Sequence, residues 1–510
     1  MLQKTYCATC IGINAVTVTV EMDMSAGVGL HLVGLPDSAV RESLLRVMTA
    51  LSSYGFSVPG RKVVVNLAPA DIRKEGSSYD LAIAVGLLAV SGQVEMPLCG
   101  DFIIVGELAL DGAVRPVPGA LPIAVHAREA GFRGCIFPSS SAREAADLDG
   151  TLIFGVDTLS QVIDILRGAG GTDGLIVRPA IETAGERPGH CADFREVKGQ
   201  VLARRGLEIA AAGGHSCLLC GSPGSGKSMM ASCLPSILPP MTREESIETS
   251  KIYSIAGRGG TAGLIKDRPF RAPHHSSSLV SLIGGGQNAG PGEISLAHNG
   301  VLYLDEVAQF PRAVLDSLRQ PVEDGKVSVS RVRYKVEYPA SFMLVASMNP
   351  CPCGYFGDGT GRCRCTRASI DRYFDRISGP FLDRIDLQIF VSPLESDELV
   401  DGAYAEASEA IAARVASARE IQARRFRGQG IFTNSRMDAA QIREYCRMGD
   451  MERAFLKKVI EKLSLSARAY GRILKLARTI ADLEGNNLLT LRNISEAVQF
   501  RSMDRMSEND

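Results

Sequence analysis

Residues 221–228 read Gly-Ser-Pro-Gly-Ser-Gly-Lys-Ser, and no other stretch limits the fold as much. Gly221, Gly224 and Gly226 let the backbone turn its N–H groups inward around a chain of phosphates. Ser222, Pro223 and Ser225 complete the loop. Lys227 supplies a point charge to the β- and γ-phosphates, and the Ser228 hydroxyl is placed to hold Mg²⁺. Such a loop needs a strand before it and a helix after it. His215–Cys220 is a short apolar run suited to a buried strand, and the apolar segment from Ser228 to Leu238 can run as a helix.

Downstream, the apolar run Val301–Leu304 ends in Asp305-Glu306. A buried parallel strand that delivers two carboxylates at its C-terminal end suits an Mg²⁺ ligand and a base. Asp305 is expected to hold the metal through water, and Glu306 to polarise the attacking water. A solvated acidic pair at a strand end is the plain alternative, and its place after a phosphate loop argues against it. ATP and Mg²⁺ are the cofactors this pairing predicts.

With 510 residues the chain has room for two or three domains. No apolar stretch approaches bilayer length, and the first residues lack the charged and apolar regions of a signal peptide. The expectation is a cytoplasmic protein with no membrane partner. The net charge of −1 means that any nucleic-acid surface must be local. The 13 cysteines are high in number, but in a reducing compartment disulfides are not expected. Cys217, Cys220 and Cys233 read as small buried hydrophobes.

The expected organisation is α/β and multidomain. Residues 1–168 mix alternating strands (15–22, 61–67, 102–110, 134–138) with an apolar helix at 80–90. Residues 169–192 are rich in Gly, Pro and Thr and read as a linker. An α/β core occupies 193–396, a helical segment 397–503, and a polar, disordered tail 504–510.

The core resembles an AAA+ protein. Phe342–Pro350 reads as a third buried strand ending in Asn349, and in AAA+ proteins a polar residue there, sensor 1, orients the lytic water. Gly379–Asp386 resembles the segment carrying the arginine finger, which implies that Arg384 reaches a neighbouring subunit's site. Leu465–Leu483 resembles the lid helix with its sensor 2 arginine, where spacing favours Arg468 over the runner-up Arg472. Two insertions, Gly284–Asn299 and the hairpin Lys326–Pro339, resemble those of the magnesium-chelatase and MCM branch, where such elements line the pore of a hexamer. The hairpin tip carries Arg331, Arg333 and Lys335 around Tyr334, cations and an aromatic suited to DNA. A solvated charged hairpin is the alternative.

The runs Arg268–Ser278, Asn349–Asp358 and Ser378–Asp386 look like signatures of the ComM/YifB family of magnesium-chelatase-like proteins. The resemblance covers almost the whole chain. It implies a homo-hexameric AAA+ motor on single-stranded or branched DNA, driving branch migration in homologous recombination and natural transformation. A chelatase-type motor on a protein partner and a Lon-like ATP-dependent protease are the competing readings.

Cys351, Cys353, Cys363 and Cys365 form two C-x-C pairs in a Gly- and Arg-rich loop. Four thiolates can hold structural Zn²⁺ tetrahedrally; reduced thiols in a loop packed on itself are the alternative. The pair Cys7-x₂-Cys10 lacks a second half, and His274-His275 reads as site-lining. The N-terminal domain resembles the α+β proteolytic domain of Lon, with Ser78 in the nucleophile's place. Leu121 stands where the resemblance expects the catalytic lysine. Leucine cannot take a hydroxyl proton, so the domain reads as a non-proteolytic scaffold. Lys74 is the one substitute base in view.

Overall fold

The computed structural model describes residues 2–58, 60–179, 192–259, 263–286, 289–330, 335–393, 405–462 and 466–501. They form two compact units, Met1–Gly185 with Thr242–Lys266, and Glu186–Met241 with Asp267–Asp510. Among the described residues no helix is long and apolar enough to cross a membrane.

The first unit is built on a seven-stranded mixed sheet of order β3-β4-β2-β1-β5-β8-β9. Its strands are β1 (Leu2–Ile11), β2 (Asn14–Ser25), β3 (Gly29–Val33), β4 (Lys62–Ala68), β5 (Phe102–Ile104), β8 (Gly134–Pro138) and β9 (Leu152–Val156). In β2 the alternation is visible: Val18, Val20 and Met22 are buried and their neighbours are not. The helix Asp80–Val90 is apolar all round and buried nearly all round, with Asp80 at its start ion-paired to Arg46 at 2.9 Å.

Three expectations need correction here. The strand expected over 102–110 stops at Ile104. The chain turns at Gly106 because its N–H bonds Ser78 O at 3.0 Å and its carbonyl accepts from Leu81 N at 3.3 Å. It resumes as the two-stranded ribbon β6 (Glu107–Leu108) and β7 (Val114–Arg115). The linker expected from 169 starts later, since Ile176 bridges Phe154 and the Val177 N–H bonds Ile153 O at 2.8 Å. Two apolar residues there bury against the sheet edge. The third concerns the core expected over 193–396, because helix Arg243–Ile255 belongs to the first unit. It opens on a reciprocal cap: Thr242 N–H to Glu245 Oε2 at 2.9 Å and Glu245 N–H to Thr242 Oγ1 at 3.2 Å. Its Ser254 carbonyl accepts from Gly119 N at 3.2 Å.

The second unit holds a five-stranded sheet of order β11-β14-β17-β10-β18. The strands are β10 (Cys217–Gly221), β11 (Phe270–Arg271), β14 (Val301–Leu304), β17 (Met343–Met348) and β18 (Leu387–Val391). Every pairing is parallel. Strands β10, β14 and β17 are buried at every residue, which is why they read as unbroken apolar runs. Two small ribbons precede and follow β14: β12 (Gly284–Gly285) with β13 (Gly290–Pro291), and β15 (Lys326–Ser330) with β16 (Lys335–Pro339). The helix after the glycine loop is Lys227–Cys233, and it tightens to a 3-10 turn over Leu234–Ile237 where Pro235 sits at the start of the turn. The C-terminal helices Ser408–Arg425 and Ala467–Leu483 join the sheet's core through Ile411, Val415, Ile473 and Ile480.

Candidate functional site

The glycine loop follows β10, and its helix begins at Lys227. Gly224 and Gly226 sit at φ of 80° and 86°, and a Cβ at either would meet nothing within 4 Å. The loop therefore presents an open concave face to an anion. Lys227 Nζ donates to Gly221 O at 2.7 Å, Ser222 O at 2.8 Å and Asn349 Oδ1 at 3.3 Å. Burial lowers this ammonium's pKa, and the nearby Cys220, Asp305 and Glu306 pull the other way. The Ser225 hydroxyl is buried with no partner among the described residues. An orphan donor in a glycine cradle beside a lysine fits a phosphate group.

Asp305 leaves the end of β14. Its Oδ2 accepts from Ser228 Oγ at 3.1 Å, and its Oδ1 lies 2.5 Å from Ser347 Oγ and 2.9 Å from the Tyr303 hydroxyl. Burial would raise the carboxyl's pKa, but the bonds from Ser347, Tyr303, Ser228 and the Glu306 N–H outweigh it and hold the group below the usual carboxylate range. Ser228 and Asp305 thus present two hard oxygen donors to one point, a set that fits Mg²⁺. Glu306 adopts a left-handed backbone, φ 51°, and its N–H reaches Ser347 Oγ at 3.1 Å. A non-glycine residue in that region is held there by its surroundings. Sequence reasoning missed Tyr303 and Ser347, which only strand pairing brings beside Asp305.

The arginines expected to serve the γ-phosphate lie elsewhere. Asp386 N–H and Leu387 N–H both bond Ser216 O, at 2.9 and 3.1 Å, so this segment meets the N-terminal end of β10. There His215 Nδ1 lies 3.0 Å from Asp386 Oδ2, and Arg472 Nε 3.5 Å from Asp386 Oδ1. Arg468 pairs with Asp383 at 3.4 Å, and Arg384 with Glu323 at 2.6 Å. The glycine loop leaves the opposite end of β10. That strand has five residues, and at about 3.3 Å each it separates the two ends by roughly 13 Å. Arg384 Nε and Arg472 Nη1 are buried without a partner among the described residues.

Sequence comparison matches the family described as magnesium chelatase, subunit ChlI, to residues 193–399, its C-terminal part to residues 405–501, and subunit ChlI of Mg-chelatase to residues 20–141. The uncharacterized protein YifB of Escherichia coli is 42% identical over 502 residues, covering 97% of this chain and 96% of YifB. Competence protein ComM of Haemophilus influenzae is 42% identical over 507 residues, covering 98% and 97%. The chain belongs to the ComM/YifB family of magnesium-chelatase-like AAA+ proteins. A weaker match, Lon protease 2 of Bacillus subtilis, is 27% identical over 128 residues, 25% of this chain and 23% of that protein.

Within this family member the remaining expected residues divide. The cysteines Cys351, Cys353, Cys363 and Cys365 come together, with sulfur atoms all within 4.8 Å of one another. They are the one metal-type cluster among the described residues, so His274 and His275, whose rings lie 4.0 Å apart, take no part in another. Lys335 is exposed at the start of β16, while Arg331, Arg333 and Tyr334 lie outside the described residues. Leu121 is fully buried. Lys74 is buried too, its ammonium bonded to the Pro69 carbonyl, and no hydrogen bond joins it to Ser78 among the described residues. Cys7, buried, and Cys10, half-buried, are ordinary thiols, both pushed up to about 12 by burial.

Proposed function

We propose that this chain is an ATP-hydrolysing AAA+ motor that assembles as a homo-hexamer with nucleotide sites shared between neighbours, and that it moves along single-stranded or branched DNA. Branch migration in homologous recombination and natural transformation is the activity this reading assigns. Bound MgATP supplies the scissile phosphoanhydride. Lys227 and the loop N–H groups hold its phosphates, Ser228 and Asp305 face Mg²⁺, Glu306 takes up the proton of the attacking water, and Asn349 orients that water. The observation that carries the reading is the placement of Arg384, Arg468 and Arg472 at the far end of β10 from the chain's own glycine loop. Groups so placed, two of them with unpartnered buried nitrogens, suit a neighbouring subunit's phosphate. A ring made this way turns the β15–β16 ribbon into a repeated element, with Lys335 in its second strand as the described cation for DNA.

Steady-state ATP hydrolysis with and without single-stranded and branched DNA tests this, with Glu306→Gln as control. Stimulation by DNA that vanishes in the control is expected. Robust hydrolysis indifferent to every DNA would sink the DNA motor and favour a chelatase-type motor on a protein partner, the reading that the magnesium chelatase family description keeps in play. A Lon-like protease is disfavoured by buried Leu121, and casein degradation would reinstate it.

A further inference from the structure

The cysteine knuckle begins two residues after Asn349 and ends before helix Arg367–Phe374. Its sulfur atoms are already spaced for a metal. Cys351 and Cys353 Sγ lie 3.3 Å apart, Cys351 and Cys363 3.8 Å, Cys353 and Cys363 3.7 Å. A tetrahedron with Zn–S bonds near 2.3 Å puts its corners about 3.8 Å apart. The loop that gathers them is independently braced. The Arg362 guanidinium lies over the Tyr355 ring at 4.4 Å and pairs with Asp358 at 3.2 Å.

The knuckle also rests against the nucleotide site. Gly354, at φ +87°, lies flush with the glycine loop: a Cβ there would be 2.6 Å from Pro223 Cδ, 2.7 Å from Pro223 Cγ and 3.9 Å from Asn349 Cγ. Pro223 is part of the loop, and Asn349 is the side chain that receives Lys227. Residues 356–360 and 362 then form one wall of a cleft of about 470 Å³ that reaches Ser222. The backing of the loop is therefore supplied by the turn over residues 351–354, in which the Gly354 N–H bonds Cys351 O at 3.0 Å.

We infer that Cys351, Cys353, Cys363 and Cys365 bind one zinc ion as a tetrathiolate, and that the knuckle it closes is the backstop of the glycine loop, so that the metal sets how tightly the chain holds a nucleoside triphosphate. The second half of this inference rests on the nucleotide site described above; the first half does not.

The test uses the full chain, purified with thiols reduced. Elemental analysis gives its zinc content, and titration with a fluorescent ATP analogue in Mg²⁺ gives its affinity. Wild type and Gly354→Ala are expected to hold one zinc per chain, and Cys363→Ser/Cys365→Ser none. Both variants should bind the analogue about tenfold or more weakly than wild type, Gly354→Ala because its Cβ would push Pro223 and the loop out of place. Gly354→Ala decides the matter if the cysteine variant does not fold. Wild type without zinc overturns the metal site. Zinc present with affinity unchanged in Gly354→Ala overturns the backstop. Zinc present in a wild type that binds no nucleotide overturns the backstop and the nucleotide-site reading together, and leaves the metal site standing.

Discussion

At the C-terminal ends of β10, β14 and β17, polar groups pair with one another: Lys227 with loop carbonyls and Asn349, Asp305 with Ser228, Tyr303 and Ser347. At the N-terminal ends of β10 and β18 the polarity is of another kind. His215, Asp386 and Arg472 pair, yet Arg384 and Arg472 each keep a buried nitrogen with no partner among the described residues. The Asp305 network holds its geometry without help, and only the Ser225 hydroxyl beside it is buried without a partner among the described residues. A buried guanidinium N–H left unpaired costs free energy until something accepts a hydrogen bond from it. On the proposed function, the first end receives the chain's own nucleotide and the second is completed by a neighbouring subunit.

The sharpest way to break that contrast is a mixing experiment. Lys227→Ala and Arg384→Ala should each lower ATP hydrolysis by about a thousandfold or more, as loss of an arginine finger does. A mixture of the two should recover a measurable part of the wild-type rate, because the Lys227→Ala subunit still offers Arg384 to the intact loop of its neighbour. No recovery in a mixture shown to co-assemble would mean that Arg384 serves its own chain, and the two ends would not be complementary halves.

A smaller effect separates structure from catalysis at the arginine end. Burial would raise the Asp386 carboxyl, but His215, Arg472 and Lys475 hold it below the usual carboxylate range. A depressed carboxyl stabilises the fold above its unfolded pKa, near 4, and the gain is lost as pH falls through the folded value. Asp386→Asn should therefore cost about 3 kcal/mol in urea melts at pH 7, and less at pH 3. An undiminished cost at pH 3 would trace the loss to packing.

The elements that were legible in the sequence are those whose burial leaves a local trace. Val301–Leu304 and Asp80–Val90 are apolar at nearly every position, and both appear with the expected bounds. The glycine loop was legible because its backbone geometry restricts residue type. Helix Arg243–Ile255 was not assigned to the first unit, since which unit buries a helix is decided by tertiary partners. Its Thr242–Glu245 cap announced only that a helix begins. The separation of Arg384 and Arg468 from Lys227 was equally invisible. Motif order along a chain says nothing of which end of a strand each motif occupies until the strands are paired.

The Asp305 network at the other end can be loosened by one bond. Ser347→Ala removes one donor to Asp305 and one acceptor from the Glu306 N–H. The loss should weaken Mg²⁺-nucleotide binding by about 1–2 kcal/mol. It should also move the acid limb of the activity profile to higher pH, because the carboxyl is then held less far below its ordinary value. A profile that stays in place would mean that Asp305 does not govern that limb.

The smallest expected effect is on stability, and it decides which arginine belongs to the site. Arg468 is 67% exposed and pairs with a 42% exposed Asp383. A pair so wet contributes about 0–1 kcal/mol, so Arg468→Ala should leave the urea midpoint almost unmoved. Arg472 is 14% exposed beside Asp386, and Arg472→Ala should unfold more easily because it strips a buried carboxylate of a cation. If Arg468 reaches a neighbour's γ-phosphate, its loss must show in hydrolysis alone, at full stability. Should Arg468→Ala hydrolyse normally while Arg472→Lys, which keeps the charge beside Asp386, folds but fails to hydrolyse, the role passes to Arg472. The orphan Nη1 would then be the atom that waits for the phosphate.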